Sequence, residues 1–587
     1  MKRSCITLPA SSLCLAAAIF LVLPVLAQQN QSSNDGIVDD WTHHHVVFSN
    51  PGSLENAINN GTSERWERIV SSPRYRMQWM KRNVVQPAPA AAHLNDFFGS
   101  QGDDGNRPSS EHGRKKSGKD NQTLEGLWTI ALGASGSGPA IDMYPAKYTF
   151  APIGTPNCTS DFVVFPVSIA GAANSEANII GVNNLYVGTC TGTVPNYLFS
   201  YFIGTGRVTT SPVLSEDGTK VAFVESVAGG SKFHVLTIGT TGTNAGTSGA
   251  PVVPCTVNGT VSCTTDNAVD TNIVMSGSVM DTRSSPFVDY TDDVAYVADD
   301  TGVLHKFTGV FKGTPAEVTT GGWPFTVASG VVLSDPTYDS VSGNIFVGGS
   351  NGDLYCVTSA GAACTNPSVI VGTGPILDAP IVDSTRGTVF AIANTSSNAV
   401  LAQTTTAMGA PIILNIGMNG TDLYDGAFDN AYYSSGPGSG HMYVCGNLTT
   451  AATPELWQIG FSSAGAMTSA TSIFQLVASG NTGTGNDCTP LTEVYNPGQG
   501  HDYLFVGVKN NGFNMGTPNC STTTCIVNFD LGTTTVLATT MTLSGAGGVG
   551  TSGMIMDNVS TATGGSQIYF GAINSGRGEQ ASQATLH

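Results

Sequence analysis

Residues 333–361, LSDPTYDSVSGNIFVGGSNGDLYCVTSAG, constrain the fold more than any other stretch of the chain. They read as three short strands joined by tight turns. An apolar opening runs from Ser334-Asp335-Pro336 to Asp339. A turn at Ser342-Gly343 leads into Asn344–Gly348, and Asn351-Gly352 predicts a two-residue type I′ hairpin into Asp353–Thr358. The opening recurs as SPVLSED at 211, SPFVDYT at 285, DAPIVDS at 378, YDGAFDN at 424, CTPLTEV at 488 and TSGMIMD at 551. The second strand recurs as KVAFVES, DVAYVAD, TVFAIAN, HMYVCGN, DYLFVGV and QIYFGAI. A divergent unit with MYPAKYTF and DFVVFPVSI precedes them, which makes eight units. One such unit cannot bury both of its faces alone, so the copies must pack on one another.

A ring follows from the ends of the array. After Ile573 the last unit shows only polar residues and lacks a third strand. Upstream, GLWTIALG at 126–133 matches ELWQIGF at 455–461. A strand at 127–132 pairing with 567–573 would close the ring and leave only short edges. The fold class is therefore all-β: a single closed β-propeller over 123–576, with eight blades expected, seven as the alternative, and a short helical N-terminal arm. Pro or Gly on each opening strand suits an innermost edge.

SPVLSEDGTKVAFVES resembles the repeat of TolB-type, WD40-like propellers. GNIFVGGSNGDLYCVTSAG resembles the repeat of pyrroloquinoline-quinone-type propellers. The resemblance covers single blades and implies fold. It departs from the quinoprotein pattern in lacking regular tryptophans and a vicinal Cys-Cys pair, so no catalytic residue is carried over.

The remaining segments divide by composition. Residues 1–27 read as a signal peptide: Lys2-Arg3, an apolar run, then Val25-Leu26-Ala27. Residues 28–85 are an arm, helical over 53–82, with Ser53 as N-cap and Pro73 opening a further helix. Trp66, Ile69, Tyr75, Trp79 and Met80 form its apolar stripe, expected to dock on the ring. Residues 86–122 read as a disordered linker and 577–587 as a disordered tail. Ten cysteines remain after leader removal and fall into neighbouring pairs: Cys158/Cys190, Cys255/Cys263, Cys356/Cys364, Cys445/Cys488 and Cys520/Cys525. Disulfides and the leader imply a secreted, periplasmic or cell-surface protein.

From residue 121 onward there are ten Lys and Arg against thirty-one Asp and Glu. Phosphate backbones need clustered cations, so nucleic acid is excluded as a partner of this part. A protein or small-molecule ligand remains, with a divalent cation as the conceivable cofactor. His43 and His45, on one face of an extended strand, are candidate metal ligands with Asp39 or Asp40. Acids three residues after the opening Pro or Gly (Asp289, Asp339, Asp383, Asp429 and Glu493) would form a channel ring or, as the simpler alternative, cap turns. No GxSxG elbow is present. The chain reads as an exported, non-catalytic binding or scaffold propeller. The alternative is an exported propeller enzyme, a quinone- or metal-dependent oxidoreductase or a carbohydrate-active lyase or hydrolase.

Overall fold

In the computed structural model the chain forms eight sheets in sequence order, an eight-bladed β-propeller. The structure describes residues 36–83 and 124–583, apart from 135, 151–155, 240–245, 257–267, 278–280, 478–486, 498–499, 510–524, 532–536, 543–549, 558–566 and 574. The leader (1–27) and the linker expected at 86–122 lie outside the described residues.

Each blade starts at the axis with a short strand: Ala146–Thr149, Val213–Leu214, Phe287–Asp289, Thr337–Asp339, Ile381–Asp383, Ala427–Phe428, Thr492–Asn496 and Ile555–Asp557. The second strands, such as Phe162–Pro166 and Val294–Ala298, are buried along their whole length. Neighbouring blades cover both of their faces, so they read as continuous apolar runs and not as alternating ones. Outer strands meet solvent, as Ala362–Ile370 does.

The ring closes in one sheet, but through one strand more than expected. Leu124–Ala131 pairs with Arg577–Gln583, which in turn pairs with Gln567–Ala572. The last blade therefore has its own third strand, built from residues expected to be a disordered tail. That strand is polar because its buried side chains bond within the sheet: Gln580 Nε2 donates to Tyr569 Oη at 3.1 Å. Trp128 packs on Tyr569 with ring centroids 6.1 Å apart.

The Asn351-Gly352 hairpin also differs. Only Gly352 is left-handed, at φ +84°, in a four-residue connection between Gly348 and Asp353. Asn351 instead donates to Asp353 Oδ2 at 2.9 Å and Tyr355 Oη at 2.8 Å.

The N-terminal arm fills the axis. Ile37–Asp39 adds to the inner strand of blade 1, antiparallel to Lys147–Thr149. Val46-Val47 adds to the inner strand of blade 5, parallel to Val382-Asp383. Blade 5 stands four places round the ring from blade 1, so residues 37–47 cross the channel from wall to wall. Trp41, Val46 and Phe48 are buried in a cluster that includes Tyr144, Val213 and Phe287.

Three helices follow: Leu54–Asn59, capped by the Ser53 hydroxyl; Ser63–Val70; and Pro73–Arg82. They seat on the mouth where the inner strands end. Trp66, Ile69, Tyr75 and Met77 are buried, while Trp79 and Met80 are half-buried. Arg74 lies over the rings of Phe287 and Tyr290, 4.4 and 4.6 Å from their centroids, and donates to Val288 O at 2.7 Å. Arg82 pairs with Glu493 and lies over Tyr433.

Covalent and ionic ties hold the blades, mostly within one blade; Cys445–Cys488 instead joins blade 6 to blade 7. Cys158–Cys190, Cys356–Cys364 and Cys445–Cys488 are disulfides, with Cα separations of 5.7, 5.5 and 6.3 Å. Cys255 and Cys525 are disulfide-bonded as well. Their expected partners, Cys263 and Cys520, lie outside the described residues.

In blade 2, His234 Nδ1 contacts Asp270 Oδ1 at 2.9 Å, and Nε2 faces Glu225 Oε2 at 3.4 Å. Blade 3 repeats this with His305, Glu317 at 2.7 Å and Asp299 at 3.3 Å. Burial alone would lower the His234 pKa, but Asp270 and Glu225 outweigh burial and raise it to about 9. His305 is raised by Asp299 and Glu317 in the same way.

Two outcomes follow. A histidine whose folded pKa lies above its unfolded value of 6.5 gives stability that is full below pH 6.5 and is lost as pH rises through about 9. The urea midpoint of the wild type should therefore fall across that window, and His234→Gln/His305→Gln should flatten the fall. Phe48→Ala, which removes a buried plug side chain packed on Tyr75, should cost about 3–5 kcal/mol in urea unfolding. A cost below about 1 kcal/mol would mean that the plug is not part of the core.

Candidate functional site

The inner strands share one register, and it sorts the acids of the blade openings. Asp289, Asp339 and Asp383 pair with Val294, Asn344 and Thr388 at the first hairpin of their blades. They act mainly as turn caps. Asp289 accepts from Thr291 N, Asp339 from Val341 N and Ser342 N, and Asp383 from Thr385 N and Arg386 N. Asp429 caps a helical turn through Tyr432 N and also holds His441.

Glu493 is out of step. In blade 7 the residue opposite the hairpin partner Tyr503 is Val494, and Glu493 stands opposite Leu504. A shift of one residue turns a side chain to the other face, and Glu493 meets Arg82 of the arm. The residue truly in register in blade 8 is Asp557, four after Gly553. It takes Lys147 Nζ at 3.0 Å and the Tyr186 hydroxyl at 2.9 Å. Each of these acids meets a different partner of its own.

The convergent polar groups lie at the opposite mouth, where the inner strands begin. There the backbone N–H of one blade donates to the side chain of the next: Tyr144 N to Ser211 Oγ at 2.9 Å, Ser211 N to Ser285 Oγ at 2.8 Å, and Ser285 N to Asp335 Oδ1 at 2.5 Å. Blades 4 to 6 place carboxylates at this level: Asp335, Asp378 and Asp425, all buried. Asp378 accepts from Ala379 N at 2.9 Å and Asp425 N at 3.3 Å. Asp142, half-buried, and Asp422, exposed, stand above them on the rim. The exposed Arg283 acts on Asp142 and favours its charged form.

Crowding shows in the protonation of these groups. Burial pushes the Asp378 carboxyl up to about 7. Burial, then Asp378, pushes Asp142 up to about 6. Burial and the Asp378 charge hold Asp335 and Asp425 well above the usual carboxylate range.

His45 of the plug completes the group. Residues 42–45 form a helical turn and not the expected strand, because Asp40 caps it: Thr42 N donates to Asp40 Oδ1 at 3.0 Å, and His43 N to Asp40 O at 3.1 Å. The chain turns here because the strand on blade 1 must be left before blade 5 is reached. The turn separates the histidines that were expected to share a face. His45 Nε2 faces Asp425 and lies 3.4 Å from Asp378 Oδ1. His43 and His44 instead line a cavity of about 70 Å³ with Asp39, Lys81, Arg82 and Glu493. Two cations in that wall make it a poor second place for a metal ion. Burial, reinforced by Lys81, holds both imidazoles well below their usual pKa.

Asp335, Asp378 and Asp425 stand in the aligned openings as SDP, DAP and YDG, one or two residues before the Pro or Gly and four or five before Asp339, Asp383 and Asp429.

No family model matches the chain, and no curated protein does. Solved structures resemble it at low identity. BamB from Moraxella catarrhalis is 12% identical with a TM-score of 0.39, over 79% of this chain and 99% of that one. Sqt1 from Chaetomium thermophilum is 10% identical with a TM-score of 0.48, over 78% and 99%. The Cps50 (Swd1) propeller from Myceliophteria thermophila is 7% identical with a TM-score of 0.37, over 78% and 99%. The reading of the site rests on its own residues.

The belt of inter-blade bonds makes a direct prediction. Ser285→Ala removes the acceptor of a buried N–H and should destabilise the ring by about 1–3 kcal/mol in urea unfolding. Ser285→Thr, which keeps a hydroxyl, should recover part of that loss.

Proposed function

We propose that the protein is an exported binding propeller that recognises a cationic protein segment or small cationic ligand at its acidic mouth. The observation that carries this reading is the convergence of Asp142, Asp335, Asp378 and Asp425 at one end of an axis whose other end is covered by the arm. The channel is filled by Trp41, Val46 and Phe48, so a ligand meets a shallow charged surface and not a passage. The rim carboxylates Asp142 and Asp422 carry the negative potential outward, while burial favours the protonated form of the acids beneath them. The same field repels nucleic acid and other polyanions.

Export is supported by the leader-like N-terminus and by the disulfides, two within blades and one, Cys445–Cys488, joining blade 6 to blade 7. Among the described residues no helix is long and apolar enough to cross a membrane.

The test is a titration of the mature protein with a lysine-rich peptide and with spermidine. Binding should weaken as salt rises from 50 to 300 mM, since the Debye length shrinks to well under ~10 Å. It should weaken about fivefold in Asp142→Asn/Asp422→Asn, at roughly 1 kcal/mol for two partly exposed charges. Binding that ignores salt and the double substitution would sink the reading, as would equal binding of an acidic peptide.

A further inference from the structure

Beneath the rim the geometry points to a buried divalent metal site, which we assign to His45, Asp378 and Asp425 with Zn²⁺ as the fitting ion. It goes beyond the proposed recognition role and does not need an external ligand. One ligand atom from each residue lies within 4.8 Å of the other two. His45 Nε2 and Asp378 Oδ1 stand 3.4 Å apart, and a tetrahedral zinc with bonds near 2.0–2.1 Å has ligand edges of about 3.4 Å.

The imidazole is oriented as a ligand. Its Nδ1–H donates to Trp41 O at 2.7 Å, which leaves the lone pair on Nε2 aimed at the two carboxylates. A histidine fixed through its other nitrogen by a backbone carbonyl is the usual outer support of a metal-bound imidazole. Nε2 is wholly buried and has no hydrogen-bond partner, and the same is true of Asp425 Oδ2. Two lone pairs turned toward each other need a shared proton or a metal ion bound to both. Asp378 is held from behind by Ala379 N and Asp425 N, so its carboxylate is positioned by backbone and not by the ion alone. One imidazole and two carboxylates form a mixed N/O set, which suits Zn²⁺ better than the all-oxygen cages preferred by Ca²⁺. The remaining position is open to water.

The placement gives the ion a task. His45 comes from the plug, and the two aspartates come from blades 5 and 6. The metal would clasp the arm to the ring at the centre of the axis. In that role it is structural, and its removal loosens a fold contact.

The test uses the full mature chain. After incubation with Zn²⁺ and gel filtration, metal analysis should find one equivalent per chain, and Ca²⁺ under the same conditions should not be retained. EDTA should lower the melting temperature of the wild type by several degrees, and Zn²⁺ should restore it. X-ray absorption should show a first shell of N/O scatterers only, with one imidazole; this readout needs no variant. His45→Gln and Asp425→Asn should each lower Zn²⁺ affinity by at least about 100-fold, while His44→Gln should not. Asp142→Asn/Asp422→Asn should keep the metal even where it loses cationic peptides, which separates this site from the recognition surface above it. Less than a tenth of an equivalent of Zn²⁺ in folded wild type, sulfur in the first shell, or full Zn²⁺ retention by His45→Gln would each overturn the assignment.

Discussion

An eight-bladed ring has a wide bore, and the backbone edges of eight inner strands face into it. Those N–H and C=O groups need partners once water is excluded. The first described residues of the chain supply them on two opposite blades. Ile37–Asp39 completes the sheet edge of blade 1, and Val46-Val47 that of blade 5. Everything at the axis depends on this crossing. It positions the apolar plug, it aims His45 at Asp378 and Asp425, and it anchors the helices that cover one mouth.

Charge is partitioned to match. The ring is acidic, while the docked arm contributes Arg65, Arg68, Arg74, Lys81 and Arg82 to the mouth that it covers. Arg65 donates to Ser384 O and Thr385 O, and Arg68 to Val341 O. Lys81 pairs with Asp39 at 2.5 Å. The covered mouth is neutralised from within the chain. The opposite mouth keeps Asp335, Asp378 and Asp425 with no arm cation against them, which is why the two ends of one channel differ chemically.

The fold was legible because eight blades repeat the same apolar strand between the same turn residues. What escaped reading lacked that pattern. Arg577–Gln583 is a strand whose buried residues include Glu579, Gln580 and Ser582, so no apolar period announces it. The turn at Thr42–His45 depends on a wall-to-wall span that only the closed ring defines. Glu493 looked equivalent to Asp339 because both stand three residues after proline, but blade 7 carries its proline one register step early. The acids that do converge sat in the same aligned openings. Their significance came from the axis, where distant blades meet, and no spacing within one repeat reveals it.

The crossing also sets an order of events. Val46 pairs with Val382, and Ile37 with Thr149, so the plug's two walls are separated by about four blades of chain. Contacts that distant form late, after the loops between them have closed. The stretch made early in synthesis is thus among the last to find its place, and blades 1 to 5 must be assembled before both of its strands have edges to join. Until then the bore is lined by bare strand edges. The segment that finally fills it is the chain's own protection against a foreign strand entering first.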